Sequence, residues 1–311
     1  MFSLKKTLAG VLSCTMLLGS LVISGCSDSN TSGTQSADNT SNGSSTAHQG
    51  EIKDISSVEL VKDMKIGWSL GNTLDGGNEI NRGQAPGAIE KSWGNPDTTK
   101  EMIDEIKKAG FNVLRVPTTW DWSTGEAPEY KISDEWFARV KEIVDYGMEN
   151  DMYVILNIHH ETWHYPTEDN YEAASDRLKK VWTQIGNYFK DYDEHLIFEG
   201  LNEPRVIGSD EEWTGGSDAT REVVNKLDAD FVSTIRSLGG NNKLRHLMIP
   251  GYAASSSEVA LKALKIPEND DKLIVSVHAY IPYNFALSDN KRSNKWVACK
   301  EGFTSDIDNL A

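Results

Sequence analysis

Residues 197–204 read Ile-Phe-Glu-Gly-Leu-Asn-Glu-Pro, an apolar run that ends in Asn-Glu-Pro. Its apolar residues predict a buried strand, and Asn202-Glu203-Pro204 ends that strand abruptly. Pro204 cannot continue a β-ladder and disfavours helix at Glu203, so the chain must turn there. The stretch therefore predicts that Glu203 lies at the carboxyl edge of a strand, where parallel α/β proteins place their catalytic groups. The alternative is an ordinary surface glutamate at a strand end.

Strand and helix patterns alternate on both sides of this stretch. Strands are predicted at 66–73, 112–116, 153–159, 195–201, 246–250 and 273–279. Helices are predicted at 98–109, 133–150, 171–191, 218–238 and 256–264, and a sixth from residue 304 onward. Because the strands are nearly continuous apolar runs, the pattern indicates a parallel sheet that is buried on both faces.

A doubly wound sheet and a barrel both fit this alternation. A dinucleotide-binding sheet carries a glycine-rich turn after its first strand, and neither G-x-G-x-x-G nor G-x-x-x-x-G-K occurs in the chain. Polar and aromatic residues instead follow nearly every predicted strand: Asn72 and Asp75, Trp120, His159 and His160, Asn202 and Glu203, His278 and Tyr280. Convergence of many strand ends on one face is typical of a (β/α)8 barrel active site.

The N-terminal residues have the pattern of a bacterial export signal. Lys5 and Lys6 precede an apolar run that is too short for a stable membrane span. Ile-Ser-Gly-Cys at 23–26 resembles a lipobox, which implies that cleavage leaves Cys26 as the lipid-bearing N-terminus. We therefore expect a lipoprotein signal peptide at 1–25, a flexible Ser/Thr/Asn-rich linker at 26–50 and a catalytic domain at 51–311. The expected location is extracellular, on the cell surface, with the membrane reached only through the lipid.

Composition narrows the class of partner. The chain has 311 residues and a formal net charge of −16, which argues against nucleic acid, because a phosphate-binding face needs clustered Lys and Arg. A neutral ligand is more compatible with this charge. Without Cys14 and Cys26, the mature chain retains Cys299 alone, so stability must come from a large core rather than from a disulfide. We expect a monomer without a cofactor.

Five motifs occur in a characteristic order: Gly67-Trp68-Ser69-Leu70-Gly71-Asn72-Thr73-Leu74-Asp75, Leu114-Arg115-Val116-Pro117, Asn157-Ile158-His159-His160, Leu201-Asn202-Glu203-Pro204 and His278-Ala279-Tyr280. Over about residues 55–311 the chain resembles glycoside hydrolase family 5, and more closely its branch of clostridial and ruminal endo-β-1,4-glucanases. The resemblance implies a (β/α)8 barrel that hydrolyses cellulose or related β-glucans with retention. Xyloglucan, lichenan and mannan stay open as substrates.

The resemblance also implies roles for individual residues. Glu203 matches the general acid/base, and Asn202 matches the residue that holds the sugar 2-hydroxyl. Arg115 matches the arginine that keeps the nucleophile ionised. His159 and His160 match sugar-binding histidines, and His278 and Tyr280 match the pair that positions the acid/base and the nucleophile. Further substrate contacts are expected from Asn72, Trp93 and Trp120. The alternative for each residue is a packing role.

The resemblance further implies a nucleophile on a seventh strand, in a Gly-Glu-Phe context about 5 Å from Glu203. The printed sequence ends at Ala311, in what reads as the sixth helix, so we expect about six of the eight strand-helix units and no nucleophile in this chain. Glu199 shares the strand face of Glu203, but four residues separate the two carboxylates by about 13 Å, which excludes it as the partner. The alternative function is therefore a non-hydrolytic β-glucan-binding remnant.

A competing motif is His160-Glu161-Thr162-Trp163-His164, which matches the H-E-x-x-H signature of zinc peptidases. That motif requires a helix, because residues four apart then direct both imidazoles to one metal ion. Here it directly follows a predicted strand, and Pro166 prevents a continuing helix. We therefore expect no catalytic metal and interpret the segment as a loop that contacts sugar.

Overall fold

The structure is a computed structural model that describes residues 48–281 and 283–287. These residues belong to one compact unit. The predicted signal peptide, most of the predicted linker with Cys26, and the helix expected from residue 304 lie outside the described residues. Among the residues described, no helix is both long and apolar enough to cross a membrane.

Six strands alternate with helices. The strands are β1 (Gly67–Ser69), β2 (Val113–Val116), β3 (Tyr153–Asn157), β4 (Leu196–Glu199), β5 (Leu247–Ser255) and β6 (Leu273–His278). The helices are α1 (Ser57–Asp63), α2 (Pro86–Glu90), α3 (Lys100–Lys108), α4 (Asp134–Glu149), α5 (Tyr171–Tyr188), α6 (Asp218–Ser237), α7 (Glu258–Ala263) and α8 (Tyr283–Ala286).

All strand pairs are parallel, and the strands lie in sequence order from β1 to β6. A doubly wound sheet would reverse its strand order at the switch point where such folds bind ligands. The sequential order is instead that of a barrel. The prediction of an incomplete (β/α)8 barrel with about six strand-helix units is therefore confirmed.

The element boundaries differ most from the prediction at β5. The sequence predicts a strand at 246–250, whereas β5 continues to Ser255 through a register shift that begins after Pro250. Ala253 and Ala254 have φ values of 54° and 47°, and the Ala253 amide donates to the Pro204 carbonyl at 2.9 Å. Such a bulge interrupts the two-residue period from which strands are recognised. The strand predicted from the sequence therefore ended too early.

The side chains on the two faces of each strand pack in different places. Alternate residues such as Leu114 and Leu156 point outward into a large core shared with the surrounding helices. The intervening residues point inward, where Ile155 and Ile197 pack with Leu60 of α1. Because side chains alternate along a strand, polar residues further along the inward face reach the carboxyl end of the barrel. This alternation positions the site described below.

His48, Gln49 and Gly50, which the sequence placed in the linker, are hydrogen-bonded to the barrel. The Asp193 amide donates to the His48 carbonyl and the Gly50 amide donates to the Asp191 carbonyl, both at 2.9 Å. Gln49 pairs with Tyr192 in an antiparallel bridge. We call these three residues the N-terminal strap.

Candidate active site

A buried charge network lies on the inward face of β2, β3 and β4. The Arg115 Nε atom donates to Glu199 Oε2 at 2.8 Å, and its Nη2 atom donates to Asn202 Oδ1 at 2.8 Å. Glu199 has no exposed side-chain surface and also accepts from Asn157 Nδ2 at 3.0 Å and Ser276 Oγ at 2.7 Å. Because its oxygens are engaged in this way, Glu199 orients Arg115. This is consistent with the exclusion of Glu199 as a reacting group.

Glu203 lies beyond the end of β4, as the Asn-Glu-Pro sequence predicts. Its Oε1 atom is 2.6 Å from His278 Nδ1 at the end of β6, and its Oε2 atom accepts from Arg205 Nη1 at 3.3 Å. Burial raises the pKa of Glu203, but the hydrogen bond and charge of His278 and the charge of Arg205 outweigh burial and lower it. In this setting the Glu203 carboxyl is held in its ionised form.

Glu203 opens onto a cleft of about 600 Å³. The cleft is lined by residues of the segment after β4 and of the end of β6, including Trp213, His278, Tyr280 and Tyr283. Tyr280 is 49% exposed and Trp213 is 63% exposed, so each has an aromatic surface free for a ligand. Tyr280 thus lies where the sequence analysis expected it.

Arg205 and Trp213 were not predicted from the sequence as site residues. The Arg205 guanidinium lies 4.3 Å from the centre of the Trp213 ring and also pairs with Glu212 at 3.0 Å. It therefore connects an exposed aromatic surface to the Glu203 carboxylate. The signal was present, because a cation only two residues beyond a candidate acid is well placed to contact that acid.

The histidines after β3 line a second part of this face. His159 Nε2 is 3.8 Å and His160 Nε2 is 4.0 Å from Asp75 Oδ2. Burial lowers the pKa of His160, and burial followed by the charge of Arg115 lowers the pKa of His159 well below its usual range. Both rings are therefore neutral at neutral pH and can donate and accept hydrogen bonds.

Asn72 and Trp93 lie at the rim near these histidines. Asn72 is exposed, and its carbonyl accepts from Asn95 Nδ2 at 3.0 Å. Trp93 is 45% exposed, and its ring centre is 5.6 Å from that of His160. Both residues are thus accessible at the end of the barrel where the sequence placed them.

Trp120 is a correction to the sequence analysis. We expected its ring to contact substrate, but it is 1% exposed, packs against Phe137 and donates from Nε1 to the Asn157 carbonyl at 2.9 Å. No face of the ring is free for a sugar. The sequence could not separate these roles, because both a core tryptophan and a sugar platform occur just after a barrel strand.

The H-E-x-x-H segment is not helical, since α5 begins only at Tyr171. Glu161 is buried and accepts from the Trp120 amide at 2.6 Å and Trp163 Nε1 at 2.9 Å. Burial and the charge of Asp121 raise the pKa of Glu161 to about 7. His164 is also buried. These contacts give the Glu161 side chain a structural role, because it connects the segment after β2 to the loop after β3.

Comparison with known proteins agrees with this geometry. The family model "Cellulase (glycosyl hydrolase family 5)" matches residues 75–309. Endoglucanase B of Neocallimastix patriciarum is 53% identical over 241 residues, which are 76% of this chain and 50% of that protein. The chain thus spans about half the length of that relative.

Solved structures show the same similarity. A GH5-4 broad-specificity endoglucanase from Ruminococcus champanellensis with bound cellotriose matches with a TM-score of 0.78 and 44% identity, covering 83% of this chain and 77% of that one. A xyloglucan-specific endo-β-1,4-glucanase from a metagenomic library, also with cellotriose, matches with a TM-score of 0.73 and 40% identity, covering 81% and 74%. The chain therefore belongs to glycosyl hydrolase family 5, the cellulase family.

Proposed function

We propose that this protein is an endo-β-1,4-glucanase that cleaves β-glucan chains with retention of configuration. The observation that carries the proposal is the position of Glu203. Its carboxyl group is held by His278 at 2.6 Å and lies in a cleft lined by exposed aromatic side chains. Aromatic rings bind the apolar faces of sugars, and a carboxyl group among them can transfer protons at a glycosidic bond.

In this proposal Glu203 protonates the leaving glycosidic oxygen and later removes a proton from the attacking water. Asn202 binds the 2-hydroxyl of the sugar. The Asn202 Oδ1 atom accepts from Arg115, so the Asn202 NH₂ group is the part left to donate to a hydroxyl. Arg115 and Glu199 therefore act on the substrate indirectly, by fixing the orientation of the Asn202 amide.

The acid role requires a higher pKa than His278 and Arg205 give to Glu203. A second carboxylate at about 5 Å, the separation in retaining glycosidases, would raise it by like-charge repulsion. When that carboxylate becomes esterified to the sugar, the repulsion ends and the pKa of Glu203 falls again. This fall suits the second step, in which Glu203 acts as a base.

The preferred substrate class is a neutral β-1,4-glucan. His159 and His160 are neutral at neutral pH, which favours sugar hydroxyls over charged groups. Cellotriose is bound in two structurally similar enzymes, of which one is named broad-specificity and the other xyloglucan-specific. We therefore include cellulose, mixed-linkage glucan and xyloglucan among the candidates, and mannan as a further variant.

The test uses the protein expressed from its native gene, with barley β-glucan, carboxymethylcellulose and xyloglucan as substrates. We expect new reducing ends and an initial β-anomer detected by NMR. Glu203→Gln should reduce turnover by about a thousandfold, because it cannot donate the proton. Glu168→Gln is the matched control, since Glu168 is an exposed glutamate outside the cleft. Equal loss in both variants would contradict the assignment.

A non-hydrolytic β-glucan-binding protein is the second candidate, carried by the exposed Trp93, Trp213 and Tyr280. Affinity electrophoresis in gels that contain β-glucan separates the two functions. Retarded migration without any release of reducing ends would support binding alone. Release of reducing ends that depends on Glu203 would support the hydrolase.

For localisation we propose a secreted lipoprotein anchored through Cys26 and a monomeric catalytic domain. The support is the charged and apolar N-terminal pattern followed by Ile-Ser-Gly-Cys. Cys26→Ala should shift the protein from the membrane fraction to the medium. Retention of the variant in the membrane fraction would contradict the anchor, and light scattering of the released protein measures its oligomeric state.

A further inference from the structure

A second cluster of histidines and carboxylates lies at the opposite, N-terminal ends of the strands. His48 belongs to the N-terminal strap, Asp151 to the turn before β3, and Asp193 and His195 to the turn before β4. One donor atom from each of His48, Asp151 and His195 lies within 4.8 Å of the others. The proposed hydrolysis uses none of these groups, so their convergence needs another account.

Asp193 fixes both histidine rings in the same way. His48 Nδ1 is 2.9 Å from Asp193 Oδ2, and His195 Nδ1 is 3.0 Å from Asp193 Oδ1. An ionised carboxylate accepts hydrogen bonds and cannot donate them, so each Nδ1 atom carries a proton. A neutral ring with its proton on Nδ1 has its lone pair on Nε2. Asp193 therefore prepares both Nε2 atoms to act as ligands.

Both Nε2 atoms approach the same oxygen. The Oδ1 atom of Asp151 lies 3.2 Å from His48 Nε2 and 3.8 Å from His195 Nε2. Ligands at zinc distances of about 2.0–2.1 Å in a tetrahedron are about 3.3 Å apart, close to these separations. A carboxylate behind each ligating histidine is also the usual outer shell of a metal site.

We propose that His48, His195 and Asp151 bind a divalent transition-metal ion of the zinc class, with water as the fourth ligand. Two imidazole nitrogens and one carboxylate oxygen suit zinc and disfavour calcium or magnesium, which prefer oxygen ligands. A single neutral water completes the tetrahedron. The site lies outside the cleft that holds Glu203.

The surroundings hold these ligands in place. The His195 ring stacks on Tyr153, with ring centres 4.7 Å apart and planes 15° apart. Glu194 is engaged by Lys53 at 2.7 Å and is therefore not free to compete as a ligand. The side chains of His48 and His195 are mostly buried, whereas that of Asp151 is 78% exposed. The ion can thus enter from solvent and meet two histidines that are already oriented.

Binding would fasten the N-terminal strap to the barrel. The strap already contacts the turn before β4 through the His48 carbonyl and Gln49. The metal would add a bond to Asp151, which lies 103 positions further along the sequence from His48. Because this end of a barrel serves stability rather than catalysis, we expect the ion to raise the melting temperature and leave turnover unchanged.

The test is calorimetric titration of zinc chloride into the full protein, prepared without a histidine tag and freed of metal with EDTA. We expect one strong site per chain, and at least tenfold weaker binding in His48→Gln and Asp151→Asn. Asp151 is exposed with φ 51°, a conformation that asparagine tolerates, so this variant should fold. His160→Gln is the control, because it removes a ligand from a separate donor group at the carboxyl end of the strands, Asp75, His159 and His160.

Two further measurements use the same variants. Cobalt in place of zinc should give the intense visible absorption of a tetrahedral ion in the wild type and not in Asp151→Asn. Zinc at 100 times its Kd should raise the melting temperature of the wild type by about 5 °C.

Three outcomes would overturn the proposal. The first is that the wild type shows no strong zinc binding, which would leave the cluster as a set of hydrogen-bonded and charged side chains. The second is equal affinity in the wild type and in Asp151→Asn. The third is loss of binding in His160→Gln alone, which would place the zinc at the catalytic end.

Discussion

A fully buried arginine at one end of the strands and a partly buried one at the other show how differently the same side chain is used. Arg245, before β5, donates to the Asn242 side chain at 3.1 Å and to four backbone carbonyls, those of Phe189, Tyr192, Asp193 and Leu196, at 2.7–3.3 Å. Arg115, at the carboxyl end, donates to the side chains of Glu199 and Asn202. One arginine is bound mainly by backbone, and the other organises polar side chains that face a cleft.

This contrast indicates which substitutions affect stability alone and which also affect activity. Backbone carbonyls stay in place when neighbouring residues are substituted, so Arg245 is part of the framework and holds the turns before β4 and β5 together. The partners of Arg115 are side chains, whose positions depend on one another. Its network orients functional groups and pairs the Arg115 guanidinium with the buried Glu199 carboxylate. Loss of either charge should therefore affect both activity and stability.

Arg115→Met should give the largest effect and is the direct test of this comparison. It removes the cation beside Glu199, which has no exposed side-chain surface, and an uncompensated buried charge costs about 3–5 kcal/mol. It also frees the Asn202 amide, so we expect turnover to fall by about a thousandfold. Urea denaturation and β-glucan hydrolysis measure the two losses.

The double variant Arg115→Met/Glu199→Gln serves as the control. Removal of the unpaired Glu199 charge should restore part of the unfolding free energy, because glutamine can keep the contacts to Asn157 and Ser276. Activity should stay low, since the Asn202 amide still lacks its hydrogen bond from Arg115. Recovery of both properties together would mean that Arg115 acts through stability alone.

Arg245→Met should give the next largest effect, on stability alone. It removes all five hydrogen bonds of the guanidinium, although the carbonyls of Phe189, Tyr192 and Asp193 each keep another donor. We expect the free energy of unfolding to fall by about 3 kcal/mol. Turnover per folded molecule should equal that of the wild type, because Arg245 does not contact the cleft. Arg245→Lys retains the charge with fewer donors and should fall between the two. A matching loss of turnover in Arg245→Met would show that the two ends are coupled.

The sequence predicted the order of the six strands and of helices α3 to α7, and the position of Glu203, whereas the short helices α1, α2 and α8 were not predicted. These features depend on apolar periodicity and on residues that end an element, such as Pro204. Both are local properties of the sequence. The inward placement of Arg115, Asn157 and Glu199 also follows from strand alternation. What the sequence did not specify was which partners these polar groups would take.

The errors and omissions of the sequence-based predictions concern contacts between residues that are far apart in the sequence. Trp120 was assigned to the site although it packs in the core, because its surroundings come from β3 and α4 rather than from its neighbours in sequence. The Ser- and Asn-rich composition around His48 suggested a flexible linker, yet Asp193, 145 positions away, holds its ring. Pairing of this kind depends on the folded arrangement and leaves no local pattern.

Asp228 of α6 adds a third case to the comparison, a buried ionisable group without a partner among the described residues. Neither of its oxygens has a hydrogen-bond partner among the described residues, and burial raises its pKa well above the usual range. The folded protein therefore keeps the Asp228 proton at pH values where the unfolded chain, with a pKa of about 3.9, has released it. The wild type should lose about 1.4 kcal/mol of unfolding free energy for each pH unit above that value.

Asp228→Asn has nearly the same shape and cannot ionise in either state. We therefore expect the variant and the wild type to be equally stable near pH 4 and the advantage of the variant to grow as the pH rises, until the folded pKa of Asp228 is reached. Urea denaturation at pH 4, 5 and 6 measures this difference. A difference that does not change with pH would mean that Asp228 is ionised in the folded protein, and its charge would then require a bound cation or ordered water. Unlike the networks of Arg115 and Arg245, this residue would then depend on a group beyond the described residues.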